Sequence, residues 1–140
     1  ESYKRFGVDI VFAIDVSRSM LAEDVAPNRL EKSKQIVNQI INKLTSDRVG
    51  IVAYAGKAFP QLPITTDYSS AKMFLSNMNT DMISSQGTAI DEAIQLSTTY
   101  FDKNINTSKL LIIISDGEDH NNSSLDIAKM AAQKGIKKYN

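Results

Sequence analysis

The sequence predicts an α/β fold: a doubly wound, mostly parallel sheet with one antiparallel edge strand and helices on both faces. Three observations predict it. Apolar runs rich in β-branched residues recur without polar alternation, the pattern of strands buried on both faces. Amphipathic segments with apolar residues at 3–4 spacing separate those runs, giving the strand–helix alternation of parallel sheets. One further strand-like segment holds two prolines, which confine it to a sheet edge.

The first apolar run is Val8 to Ile14, VDIVFAI, and a polar loop, DVSRSMLAEDVAP, follows it. A helix comes next, with Leu30, Val37, Ile40, Ile41 and Leu44 on one stripe and Lys32, Gln35, Asn38, Gln39 and Asn42 on the solvated side. Asn28, three residues before Glu31, is its predicted cap. Val49 to Tyr54 is a second buried strand. Gly56-Lys57 signals a turn into AFPQLPI, the expected antiparallel edge strand. Asp67 should cap a short helix that carries Ala71, Phe74, Leu75 and Met78 inward. After NTDMISSQG, Thr88 opens another helix with Ile90, Ala93, Ile94, Ser97 and Phe101 on its apolar side. Lys109 to Ser115 is the most apolar strand, ending at Asp116-Gly117, and a last helix is expected over 124–134, stopped by Gly135. The chain stops at KGIKKYN, where such a fold usually starts another strand, so a single domain over 1–140, truncated at its C-terminus, is expected.

Composition narrows the function. Forty-two per cent hydrophobic and 23% charged residues over 140 positions argue for one globular domain and against disorder. Sixteen basic residues balance sixteen acidic ones, which disfavours a nucleic-acid binder relying on phosphate neutralisation. The absence of cysteine excludes disulfides and thiolate metal sites, and a lone histidine, His120, excludes histidine-rich ones. His120 has no G-x-S-x-G partner for a hydrolytic triad. No stretch is apolar for about 18 residues, and the N-terminal ESYKRFG lacks a signal-peptide core.

In a doubly wound sheet, ligands sit beyond the carboxyl ends of the strands. Two strands end there in a carboxylate, Asp15 and Asp116. Ser17 and Ser19 follow Asp15 at alternate positions, a spacing that lets a tight loop turn three oxygens toward one point. Thr88, after Gly87, adds a hydroxyl from another loop. Each residue has a plainer reading. Ser17 and Ser19 suit any polar loop, Thr88 with Asp91 forms a capping box, and Asp116-Gly117 is a common turn. Their joint occurrence at three strand ends favours a site. Two carboxylates about 6 Å apart repel by roughly 3 kcal/mol at an effective dielectric of about 20, a cost that a cation offsets. The all-oxygen donor set suits Mg²⁺ foremost, with Mn²⁺ or Ca²⁺ as alternatives.

The segments DVSRS (15–19), GTAI (87–90) and SDGED (115–119) resemble the metal-ion-dependent adhesion site of von Willebrand factor A domains. The likeness runs through essentially the whole chain, without that family's final strand and helix. LAEDVAPNRLEKSK, AGKAFPQLPITTDYSSAKMFL and QGTAIDEAI further resemble the bacterial Bat aerotolerance family, its BatB branch most of all. The resemblance implies that Asp15, Ser17, Ser19, Thr88 and Asp116 surround a divalent ion, the serines directly and the aspartates often through water. Arg18 stands where the family commonly has glycine, placing a cation on the rim, with Glu118 on the acidic side of that rim. It also implies a non-enzymatic module that takes an acidic residue of a partner protein. The implied partners are other Bat-type proteins or a MoxR-type ATPase complex, with no nucleic acid and no small-molecule substrate. The implied setting is the cell membrane, with the domain on the periplasmic side and its anchors outside this chain. The rival expectation is a Mg²⁺-dependent phosphoryl-transfer enzyme with Asp15 as nucleophile. Ser17 weakens it, because such phosphatases typically carry a second aspartate there, and no lysine suited to a receiver domain follows a later strand.

Overall fold

The computed structural model describes residues 7–115. Asp116, Glu118, His120 and the helix expected over 124–134 lie outside the described residues. Among the described residues four strands form one sheet: β1 (Val8–Asp15), β2 (Arg48–Tyr54), β3 (Ala58–Thr65) and β4 (Ser108–Ile114), in the order β3-β2-β1-β4. β1 pairs in parallel with both β2 and β4, and β3 runs antiparallel to β2 at the edge. The doubly wound, mixed sheet expected from the sequence is therefore present.

The unbroken apolar runs follow from cover on both faces. Ile10, Phe12 and Ile14 of β1 face α1 (Arg29–Asn42) and α2 (Tyr68–Ser76), in one cluster with Leu30, Val37, Ile41, Ala71 and Leu75. Val11 and Ala13 face the other way and join Val52, Tyr54, Leu111 and Ile113 under Ala93 and Ile94 of α3 (Ile90–Thr98). Side chains such as Phe12, Ile51 and Leu111 are wholly buried, each worth about 1.5–3 kcal/mol of transfer free energy. Pro60 and Pro63 lie in β3, where a missing N–H leaves no gap in an inner ladder, and the β2–β3 register is irregular around Ile51.

Local capping sets two helix starts. The Asn28 side chain accepts from the Glu31 N–H at 2.8 Å, and the Asp67 carboxylate accepts from the Ser70 N–H at 3.0 Å. Two expectations need correction. Phe74 is 37% exposed, because the nine-residue α2 buries only a narrow stripe of Ala71 and Leu75, continued by Met78 past its end. The Thr88 capping box does not form: the cap position of α3 is Ala89, and no side chain caps it. Ile36 also breaks the polar side of α1, where it lines a cavity of about 310 Å³ between that helix and the β1–β4 face.

An ion pair closes the sheet edge opposite the β1 carboxyl end. Asp9, 1% exposed within β1, receives Arg48 Nε at 2.9 Å and a terminal guanidinium nitrogen at 2.6 Å, with Thr107 Oγ1 at 3.1 Å. The hydrogen bond to Asp9, first among the causes, holds the Arg48 guanidinium above its ordinary value.

Candidate metal centre

Parallel register brings the carboxyl ends of β1, β2 and β4 into line: Asp15 stands opposite Tyr54, and Ile14 opposite Ile114. Whatever leaves these strands meets at one edge, as expected of this topology. Asp15 is fully buried there. Its Oδ1 accepts the Ser17 N–H at 2.8 Å, the Asx-type closure that turns a chain sharply without glycine. Val16 is wholly buried and donates its N–H to the Tyr54 carbonyl at 2.8 Å, so the turn begins from a fixed base.

The chain then forms a single 3-10 turn over Arg18–Leu21, pinned by buried Met20 and by the Met20 N–H to the Ser17 carbonyl at 3.0 Å. The turn brings Ser17 Oγ and Ser19 Oγ within 3.0 Å of each other. Exposure rises from floor to rim: Asp15 at 0%, Ser17 at 6%, and Ser19 exposed. The D-x-S-x-S spacing thus sets two hydroxyls beside a buried carboxylate.

Backbone bonds carry the loop holding Thr88 to the same edge. The Gly56 N–H donates to the Ser85 carbonyl at 2.7 Å, and the Ala89 N–H to the Ala55 carbonyl at 2.7 Å. Gln86 Oε1 accepts the Arg18 N–H at 3.1 Å, stitching this loop to the serine turn. Gly87 adopts φ +140°, a backbone state that favours glycine, and packs against Gly56. Thr88 is exposed between these anchors. From β4, Ser115 approaches Asp15 Oδ2 with its hydroxyl at 3.4 Å.

Of the expected residues, the structure gathers Asp15, Ser17 and Ser19 and ties the loop of Thr88 to their edge. Arg18 is exposed at the seam of the two loops. Asp116, one residue past Ser115, and Glu118 lie outside the described residues. Gln86, Gly56 and Ser115 also stand at this edge, Ser115 as the start of the SDGED segment, Gly56 noted in the sequence only as a turn, and Gln86 given no role there. Signals were present for two of them: Gln86 precedes a glycine, and Gly56 follows an apolar strand almost directly.

The donor chemistry fits a hard cation. Among the described residues, no three His, Cys, Asp or Glu side chains converge, so the edge offers hydroxyl and carboxylate oxygens. Oxygen donors suit Mg²⁺, Mn²⁺ and Ca²⁺. A buried carboxylate also needs compensation, which a cation provides.

Comparison with known proteins agrees with this geometry. Residues 10–118 match the von Willebrand factor type A domain family. Among solved structures, the chain is 49% identical to the conserved hypothetical protein BatB from Bacteroides thetaiotaomicron. That likeness has a TM-score of 0.81 and covers 93% of this chain and 63% of that one. An aerotolerance-related membrane protein from Bacteroides fragilis is 43% identical with a TM-score of 0.79, over 93% and 64% of the two chains. Proximal thread matrix protein 1 from the mussel byssus, solved with a zinc-occupied MIDAS motif, is 19% identical with a TM-score of 0.71, over 94% and 34%, and shows the fold alone. The chain spans 33% of one curated relative and 27% of the next. Among the described residues, no helix is long and apolar enough to cross a membrane. Fold, matched stretch and a likeness to two Bat proteins over 93% of this chain lead to one conclusion: the chain belongs to the von Willebrand factor type A family, as a domain of its Bat branch.

Proposed function

We propose that this domain is a non-enzymatic, metal-ion-dependent protein-interaction module. In this reading Asp15, Ser17, Ser19, Thr88 and Asp116 hold a divalent cation, Mg²⁺ foremost and Mn²⁺ or Ca²⁺ next. An acidic residue of a partner protein takes the remaining position. The observation that carries it is the pair of hydroxyls, Ser17 Oγ and Ser19 Oγ, 3.0 Å apart beside the fully buried Asp15. Mostly neutral donors leave a bound cation electrophilic enough to accept an outside carboxylate. The zinc in the MIDAS motif of the mussel protein supports a cation at the corresponding place on this fold.

Asp15 supplies charge from the floor, Ser17 and Ser19 supply oxygen at the opening, and Gln86 keeps the two loops together. Full burial suits Asp15 to a charge held beneath the two serine hydroxyls. The name of the Bacteroides fragilis relative, an aerotolerance-related membrane protein, supports a setting at the cell membrane. The reading places the domain on the periplasmic side with anchors outside this chain, and gives it other Bat-type proteins or a MoxR-type ATPase complex as partners.

Thermal unfolding with and without Mg²⁺, Mn²⁺ and Ca²⁺ tests the site. At 100 times its dissociation constant an ion adds about 2.7 kcal/mol, several degrees for a domain this size. The shift should appear in the wild type and vanish in Asp15→Ala. No shift with any ion, or an equal shift in both proteins, would sink the reading.

A further inference from the structure

We infer that the partner segment bears more than the carboxylate that meets the ion: it carries a second acidic residue for Arg18 and an apolar residue for Leu21 and Val25. This rests on the metal-dependent reading above. The backbone of Arg18 is fixed at the loop seam by Gln86, while its side chain is exposed and, among the described residues, makes no ion pair. A 3-10 turn has three residues per turn, so Arg18 and Leu21 share one face of Arg18–Leu21, while Met20 turns inward. Leu21 is 51% exposed.

The segment beyond it is held, not loose. The Arg29 N–H reaches the Ala22 carbonyl at 2.9 Å, and the Arg29 guanidinium grips Asp24 at 2.8 and 2.9 Å. Val25, 40% exposed, therefore sits on a braced loop. Two large apolar side chains, Leu21 and Val25, are thus exposed within five residues on the segment that leaves the serine turn. Charge selects the occupant. Asp24 is engaged by Arg29, so among the described residues Arg18 is left to complement an acid from outside. Glu23, exposed on the same segment, repels an acid near Leu21 and Val25 and keeps the second acid on the Arg18 side.

Panning a random peptide library, displayed on phage, against the 140-residue chain in Mg²⁺ and releasing with a chelator tests this directly. The released sequences should share one acidic residue, a second acid at a fixed offset and a large apolar residue. Arg18→Gln should lose the second acid and weaken a selected peptide roughly two- to fivefold. Leu21→Ser with Val25→Ser should lose the apolar preference, and both variants should keep chelator release. A wild-type pool with a single acid and no fixed companions overturns this inference and leaves the metal-dependent reading intact. So does an Arg18→Gln pool indistinguishable from the wild type. No chelator-released pool at all overturns both.

Discussion

A methyl group on Gly56 would stand 2.5 Å from Ser85 Oγ and 2.7 Å from the Ser85 and Gln86 carbonyls, with backbone on most sides and little freedom to yield. Gly56→Ala should therefore cost about 1–3 kcal/mol, the range for overpacking a tight site. Because the same displacement pushes Gln86 away from Arg18, it should also weaken the ion-induced thermal shift. Urea unfolding with and without Mg²⁺ checks both effects, and an unchanged midpoint would show that the loop at 85–87 gives way freely. In the sequence, Gly56 reads as a turn signal before Lys57. The approach of a loop about 30 residues later is invisible to local pattern, although the glycine itself is plain. Asp15, Ser17 and Ser19 were legible because their geometry is set within one turn. Ser115 was legible as the start of the SDGED segment, but its approach to Asp15 from a neighbouring strand was not. A different case is Tyr100, whose ring covers Gly50 so closely that a methyl group there would meet it at 2.8 Å. Burial pushes the Tyr100 hydroxyl up from its ordinary value.

Helix caps were legible in advance for the same local reason. Asn28 and Asp67 each bond a backbone N–H three residues ahead, so neither needs the tertiary fold to be recognised. Hydrogen bonds from the Ser70 hydroxyl and backbone, in that order, hold the Asp67 carboxyl below its ordinary value of 3.8. A carboxyl depressed in the folded state stabilises above its unfolded value and loses that contribution as pH falls through its folded one. The difference in urea midpoint between wild type and Asp67→Ala should stay constant from neutral pH to about 4 and shrink below that. A difference that persists at the acid end would show that the cap owes nothing to ionisation. Tertiary demands explain the misplaced elements. Thr88 stands one residue before the cap of α3, Ala89, whose N–H bonds the Ala55 carbonyl, a long-range contact that local pattern does not show. Phe74 falls off the core because α2 has a narrow buried stripe, a width that periodicity does not reveal.

Over the whole molecule, the parallel sheet and its antiparallel edge strand followed from apolar continuity and two prolines, whereas the strand order and the charge inside the sheet did not. Asp9 sits among residues that all read as core, and its partner Arg48 is 39 positions away in sequence. Arg48→Met should cost about 3 kcal/mol, because it leaves a carboxylate at 1% exposure with Thr107 as its remaining side-chain partner among the described residues. Replacing both members, Asp9→Leu with Arg48→Met, should recover much of that loss. Chemical unfolding of the three proteins decides it, and a double variant as unstable as the single one would show that Asp9 serves packing through its shape. The same strand ends in Asp15, six residues on and about 20 Å away. β1 is thus a rod with an acid at each tip. One acid is answered by a guanidinium encoded in the chain, and the other, in the proposed function, by an ion drawn from solution. Depleting the medium of divalent ions would then loosen the grip at one tip while the welded tip kept the scaffold standing, so attachment and integrity answer to different supplies.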